Sequence, residues 1–455
     1  MRSTRLPYRE DSAGLFALIA EEPWAVFLDS GQPQAMGGRW DFLAARPHAT
    51  LVSVNGVSVF TRGDRVEYRQ GDSLALLREI LGAAEPAGDF PFAGGAIGYF
   101  SYDIARELGY LPDSKGAHRN VPDMAVGLYD WVVVVDHRQR ETYLVSQERD
   151  PETAGRWPEL VALFSRESPV SQDEAWHVLV PPASNFDWPD YRAACRRVQH
   201  YIAEGDCYQI NLTQYYSARV SGSRWGLYRS LRKLNPAPFG AYLNYPGLQV
   251  LSTSPERFIE LRGGRVTTCP IKGTRPRGAD PAQDRKLAEA LQASEKDRAE
   301  NLMIVDLLRN DLGRVCVPGS VAVPELFKVE SFANVHHLVS TVTGSLAPGR
   351  DAIDLLRASI PGGSITGAPK RRAMAIIDEL EPHRRGLYCG AIGYIGFNGD
   401  MDTNIVIRTL IGQGEQVGFG VGGGIVADSV VEQEFQECLD KAAPMLRLLS
   451  LNGRS

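Results

Sequence analysis

An α+β fold is predicted by two features of the chain. The first 145 residues read mostly as strands, and farther on the helices come in runs of their own instead of alternating with strands as βαβ units require. A third feature concerns the sheets. The pentapeptide Gly95-Ala-Ile-Gly-Tyr99 recurs as Gly390-Ala-Ile-Gly-Tyr394, each time in a strand context. Two readings are open: coincidence between two glycine-bearing strands, or two related sheets that face each other.

The elements follow in chain order. Trp24–Leu28 is a short apolar run, and Val52–Phe60 alternates around Asn55-Gly56, a hairpin signal. Ser73–Leu81 reads as a helix. Gly94–Tyr99, Val126–Val135 and Thr142–Val145 read as buried strands, with a turn at Asp136–Arg140. A helix at Ala154–Phe164 precedes Arg166–Trp188, a polar stretch read as a linker over a surface. Tyr191, Cys195, Val198 and Ile202 fall at helical spacing before Gly205, and Tyr208–Tyr216 alternates as a strand. Glu295–Arg309 and Pro369–Leu380 are helices, Tyr388–Phe397 and Asp402–Ile411 strands, and Ser429 caps a last helix to about Leu449. The organisation is therefore an N-terminal region 1–146, a linker 147–188 and a C-terminal region 189–449.

Composition narrows the class. Of 455 residues 44% are apolar and 23% charged, with 49 basic against 55 acidic for a net charge of −6. That is the make-up of a folded chain, without the basic excess of a nucleic-acid binder. No apolar run reaches the roughly 18 residues of a membrane span, and MRSTRLPYREDS lacks a signal peptide's apolar stretch. The six cysteines (195, 207, 269, 316, 389 and 438) form no CxxC pair, which fits reduced cytoplasmic thiols better than disulfides or zinc.

Two helices carry carboxylates on one face: Asp297 with Glu300, and Glu434 with Glu437, followed by Lys441. One carboxylate from each helix suits Mg²⁺, which fills its remaining positions with water and substrate oxygens; a solvated helix face is the alternative. Glycines gather at Pro361-Gly-Gly-Ser-Ile-Thr-Gly-Ala-Pro-Lys370, where a phosphate-loop reading fails because Ala368-Pro369 stands in place of Lys-Ser/Thr. They gather again at Gly420–Gly424, to admit a substrate to the backbone or to allow close strand packing. Arg408, in the apolar run Asn404–Leu410, needs a carboxylate from the protein or from a ligand. His337, flanked by apolar residues, is a hydrogen-bonded core histidine or a site residue.

Five stretches together are similar to the chorismate-utilising enzymes: Tyr201-Ile-Ala-Glu-Gly-Asp-Cys-Tyr-Gln-Ile-Asn-Leu-Thr213, Ser254-Pro-Glu-Arg-Phe258, Pro270-Ile-Lys-Gly-Thr-Arg-Pro-Arg277, the helix Asp297–Asp311, and Pro361–Lys370. The resemblance runs from about Pro189 to Leu446, and the first 145 residues resemble the N-terminal region of anthranilate synthase component I and its relatives. It implies a large sandwich of two antiparallel sheets with helices outside, in which both regions form one body. It implies chorismate as substrate and Mg²⁺ held by Glu300 and Glu437, with Asp297 and Glu434 acting through water. Substrate positions carried over are Gly273, Thr274, His337, Tyr388, Arg408, the Gly422, Gly423 and Gly424 backbone, and Lys441.

Within that resemblance Glu256 is the general acid. Lys272 stands where other members carry Ala and is the implied nucleophile at ring C2, pairing with a substrate carboxylate being the alternative. A free lysine amine titrates near 10.4, so the pocket must lower it. Asn211 takes the place of a water-activating lysine of some relatives, which fits ammonia as the attacking species. The implied reaction is amination at C4 to 4-amino-4-deoxychorismate, a precursor of 4-aminobenzoate and folate; amination at C2 to anthranilate is the rival. Ammonia implies a glutamine amidotransferase subunit as partner, since residues 1–188 contain no cysteine to serve as its nucleophile. A family tryptophan site maps to Ser30, Arg39, Trp40, Asp41, Phe42, Pro238, Phe239 and Gly240, with plain core packing as the alternative.

Overall fold

The two halves of the chain meet strand to strand in two places. In one sheet Ala25–Asp29 pairs with Phe239–Tyr245, and in the other Gly95–Phe100 pairs with Ala391–Gly396, both antiparallel. The structure, a computed structural model, describes residues 1–35, 37–112, 121–166, 175–332 and 335–451. Among these, two twelve-stranded antiparallel sheets carry strands from both halves, so neither half holds a sheet of its own. This is the expected sandwich, with both regions in one body.

Between the sheets lie Val26, Phe42, Ile97, Tyr99, Val132, Val134, Leu243, Val250, Ile392 and Ile411, all buried. On the outer face of the first sheet, Phe16, Trp225, Tyr228, Leu231 and Met445 pack from helices; on that of the second, Leu74, Leu77, Val305, Leu312, Leu355 and Met374 do so. Central strands are thus covered on both sides, which is why Gly95–Phe100, Met124–Tyr129, Trp131–Asp136 and Ala391–Gly396 are buried at every position. The hairpin turn holds as read: Asn55 and Gly56 have φ of 49° and 75°, as a two-residue primed turn needs. Ser73–Leu81 is a helix with the expected bounds.

Four readings are corrected. The run Val126–Val135 is two strands in different sheets, Met124–Tyr129 and Trp131–Asp136, broken at buried Asp130. That carboxylate accepts from Ser146 Oγ at 3.0 Å and from the Arg149 amide at 2.8 Å. Likewise Asp402–Ile411 is two strands, Met401–Ile405 in the second sheet and Thr409–Gln413 in the first. Residues 147–188 are more than a helix and a linker: after the expected helix, seen at Pro151–Ser165, they hold the edge strand Trp176–Ser184, whose Trp176 is buried. The part of that segment at 167–174 lies outside the described residues.

The fourth concerns the repeated pentapeptide, whose two copies do not face each other from separate sheets. They are neighbouring strands of one sheet, and Gly98 lies directly opposite Gly393. A Cβ on Gly98 would sit 2.1 Å from the Ala125 carbonyl oxygen, and one on Gly393 would sit 2.0 Å from that of Asp402. The sheet closes around these strands only without side chains there. Gly393→Ala must push apart the backbones of two neighbouring buried strands, Ala391–Gly396 and Met401–Ile405, and we expect a loss of about 2–4 kcal/mol. Denaturant unfolding measures this; an unchanged midpoint would refute the packing.

Candidate active site

Where the chain leaves one sheet for the other, residues are released from ladder register. Two such crossings lie side by side. Leu248–Ser254 of the first sheet passes through Pro255 and Glu256 into Arg257–Arg262 of the second, and Met401–Ile405 passes back through Arg408 into Thr409–Gln413. The freed backbone groups bond across the pair. Ser254 Oγ donates to the Ile405 carbonyl (2.6 Å), the Ile405 amide to the Glu256 carbonyl (3.0 Å), and the Thr253 amide to the Arg408 carbonyl (3.1 Å). Arg408 has φ of 50°, a conformation that a strand interior does not take. It therefore does not lie within a strand, as its apolar neighbours suggested.

Glu256 is 7% exposed. Burial pushes its carboxyl up to about 7; a side-chain hydrogen bond with Ser364 and the charges of Lys272 and Lys441 oppose this without cancelling it. Lys272 lies on the strand Ile271–Pro276, with Nζ 3.4 Å from the Ser364 carbonyl oxygen. It is half-buried by surface area, yet packed closely enough that lost solvation is the largest influence and lowers its amine. Lys441 adds to that, while Glu300, Glu256 and Glu437 oppose it. Ser364 thus touches both groups.

Arg408 donates from one guanidinium nitrogen to Asn235 Oδ1 at 3.1 Å, and among the described residues no carboxylate pairs with it. Burial lowers its pKa. Of its two expected partners, the internal one is missing. Nearby, His337 Nδ1 bonds Thr274 Oγ1 at 2.9 Å across the strand pair Thr274↔His337. Burial and then Arg408 push His337 down to about 4, so its ring is neutral at physiological pH. It is a buried, hydrogen-bonded histidine whose ring fixes the Thr274 hydroxyl. Gly273 has φ of 82°, and a Cβ there would lie 2.8 Å from Asp297 Cγ; only glycine fits.

The carboxylates come from the two expected helices, Glu295–Gly313 and Val431–Leu451. Glu300 is raised by burial, with Glu434 and Glu437 adding to that and Lys272 and Lys296 opposing. Burial also works to raise Glu437, but its 2.7 Å ion pair with Lys441, joined by the charges of Lys296 and Lys272, brings it below its ordinary value. Lys296 lies 3.9 Å from Glu300 and 3.6 Å from Glu434, which also accepts from Ser429 Oγ at 2.7 Å. Asp297 pairs with Arg275 at 2.8 Å. Among the described residues no three His, Cys, Asp or Glu groups form a ready cation cage. The donors are nonetheless hard oxygens on facing elements that repel one another, and Mg²⁺ needs only one or two of them. They fit that ion.

Of the glycines, Gly420 and Gly422 are required by packing: a Cβ would fall 2.3 Å from the Tyr388 ring and 2.4 Å from the Leu212 carbonyl oxygen. At Gly424 a Cβ would lie 3.0 Å from Gln209 Nε2. Gly423 faces open space bounded by Glu434, Lys441 and Cys438, at 3.6–3.9 Å from an added Cβ. Lys441 also donates to the Gly422 carbonyl at 3.1 Å. The close-packing reading therefore holds for Gly420 and Gly422, while Gly423 borders open space. Tyr388 is 5% exposed. Asn211 donates its amide to the Ile365 carbonyl at 3.1 Å and so ties down the Pro361–Lys370 loop. Sequence reasoning missed Ser364, Lys296 and Gln209. The last is buried beside Gly424, with neither amide atom hydrogen-bonded. Ser364 lay within a stretch already singled out, but spacing gives no signal for a group that acts through a 3₁₀ turn, Gly363–Ile365.

Away from this cleft, a cavity of about 330 Å³ lies between the sheets. Ser30, Arg39, Trp40, Phe42, Pro238, Phe239 and Gly240 line it, which plain core packing would not leave. Asp41 is the exception and a correction. Successive strand residues face opposite ways, so Trp40 and Phe42 point into the cavity while Asp41 points to the other face of the sheet. It is fully buried, bonded to Ser12, to the Ser30 amide at 2.7 Å and to His137 Nε2 at 2.7 Å.

Residues 26–447 match the chorismate binding enzyme family. The chain is 47% identical over 453 residues to aminodeoxychorismate synthase component 1 of Klebsiella aerogenes, covering 98% of each. It is 46% identical over 449 residues to that of Escherichia coli, covering 98% of this chain and 97% of that one. The crystal structure of anthranilate synthase component I from Streptococcus pneumoniae is 33% identical with a TM-score of 0.80, covering 91% of this chain and 93% of that one. No helix among the described residues is long and apolar enough to cross a membrane, and all six cysteines are free thiols.

The burial of Glu256 has a signed consequence for stability. Between the ordinary 4.5 and about 7, the folded chain keeps a proton that the unfolded chain releases, so stability falls as pH rises through that window and stays low above it. Glu256→Gln removes the effect. Without substrate, the variant should gain on the parent by about 3 kcal/mol by pH 8 and by nothing below pH 4. Denaturant unfolding across pH measures it, and a pH-independent difference would show a solvated carboxyl.

Proposed function

This chain belongs to the chorismate binding enzyme family, and on that premise we propose that it aminates chorismate at C4, giving 4-amino-4-deoxychorismate and water for 4-aminobenzoate and folate synthesis. The observation that carries the reading is a desolvated amine, Lys272, joined through Ser364 to a carboxyl that burial raises to about 7, Glu256.

Arg408, with no internal carboxylate, takes a substrate carboxylate in a bidentate contact, beside the Thr274 hydroxyl that neutral His337 orients. Tyr388, Lys441 and the Gly423 backbone bound the rest of the cleft. Glu300 and Glu437 would hold Mg²⁺, with Asp297 and Glu434 acting through water, and the ion would supply positive charge against the substrate's second carboxylate. The neutral Lys272 amine attacks ring C2, the ring double bonds shift, and the C4–O bond breaks as Glu256 gives its proton to the leaving hydroxyl, which departs as water. Ammonia then attacks C4, the double bonds shift back, and the C2–N bond breaks with its electron pair returning to Lys272. The new ammonium hands its extra proton to the Glu256 carboxylate, which restores the acid.

Ammonia comes from a glutamine amidotransferase subunit, in keeping with the "component 1" in the names of the relatives. The cavity between the sheets takes an aromatic amino acid such as tryptophan, with Ser30 Oγ, buried without a hydrogen bond, as a polar contact. The rival outcome, amination at C2 with loss of pyruvate, is disfavoured because the Lys272 amine claims the carbon that ammonia would have to attack.

Chorismate, Mg²⁺ and an ammonium salt, followed by an aminodeoxychorismate lyase, should yield 4-aminobenzoate; anthranilate instead would contradict the reading. Lys272→Ala should lose this product, and Glu256→Gln should lower kcat by about 10²- to 10⁴-fold. With rates expressed per unprotonated NH₃, activity should fall as pH rises through about 7 and Glu256 loses its proton.

A further inference from the structure

We propose that Arg385, held by Glu381, is a positioning residue for this reaction: the pair locks the Pro361–Lys370 loop onto the strand Gln209–Gly222, so that Ser364 stays against both Lys272 and Glu256. The inference rests on the reading above that those two groups do the chemistry.

The pair is sealed from water, with side chains 2% and 5% exposed. Arg385 donates to both Glu381 oxygens, at 2.7 and 2.9 Å. Two further donors go to elements of the site: one to the Ile365 carbonyl at 2.8 Å, another to the Asn211 carbonyl at 2.6 Å. Glu381 in turn accepts from the Thr213 amide at 3.0 Å and its hydroxyl at 2.7 Å. The guanidinium also lies 4.8 Å from the centre of the Tyr102 ring. One ion pair therefore grips the strand at two alternate residues and the loop at Ile365, next to Ser364.

A buried ion pair adds little stability over an apolar replacement, so its presence calls for a geometric reason. Here the geometry is at hand. Lys272 Nζ meets the Ser364 carbonyl and Glu256 meets the Ser364 side chain. If the grip on Ile365 loosens, both contacts move together. The charged groups acting on Glu256 are Lys272 and Lys441, and neither belongs to the clamp, so a change in Glu256 titration reports on Ser364.

The test uses the full chain with chorismate, Mg²⁺ and an ammonium salt. Arg385→Lys and Glu381→Gln are each expected to lower kcat by about 10- to 10²-fold, with KM for chorismate within about threefold of the parent. The alkaline limb should move to higher pH, because the Ser364 bond favours ionised Glu256 and is lost. Ser364→Ala, which leaves the clamp intact, should move the limb the same way and keeps the test decisive if a clamp variant fails to fold. A lower melting temperature with kcat and limb unchanged, or an unmoved limb in Ser364→Ala, overturns the inference. A parent enzyme that makes no 4-amino-4-deoxychorismate would instead overturn the reaction itself.

Discussion

Two antiparallel sheets can share one body only if the chain crosses between them, and a crossing chain must satisfy its backbone without a ladder. Here Ser254–Arg257 and Ile405–Thr409 meet that constraint together, each supplying hydrogen bonds to the other. Because backbone and local hydroxyls close the polar account, the side chains of Glu256 and Arg408 are left for the cleft. The proposed acid and the proposed anion-binding group are thus by-products of the same topological necessity, fixed by rigid strands on either side.

The electrostatics of the cleft follow from that rigidity. Glu256 and Lys272 attract one another, which favours their charged forms, yet desolvation dominates in both. Each is driven toward the neutral state, the form an acid and a nucleophile need. The helix carboxylates keep a different balance: Lys296 and Lys441 lie among Glu300, Glu434 and Glu437 as counter-charges. A net negative chain thereby presents a locally mixed field to a dianionic substrate.

Much of this was legible in the residues. The two acidic helices, the Asn55-Gly56 hairpin and the α+β class follow from spacing and turn chemistry, and the motifs around Glu256 and Lys272 point to one cleft. What failed has a common cause. Where a strand is buried on both faces, apolar runs carry no alternation, so 126–135 and 402–411 read as single strands although each changes sheet midway. The surviving signal is a charged residue in the interior of each run, Asp130 and Arg408, and each marks the crossing. Asp41 was misplaced for a different reason: successive side chains of the strand Trp40–Ala44 point to opposite faces of the sheet, so a contiguous set of residues cannot share one face. The pairing of the two pentapeptide strands, and the Arg385–Glu381 clamp, join residues far apart in the chain, which no local pattern encodes.

The central claim is that the Lys272 amine bonds to the substrate. Mass spectrometry of the protein incubated with chorismate and Mg²⁺ but no ammonia tests it most directly. The account predicts a peptide containing Lys272 that is heavier by chorismate less water, lost again when ammonium is added. Unmodified Lys272 in an enzyme that turns over when ammonium follows, or an adduct on any other residue, would contradict it.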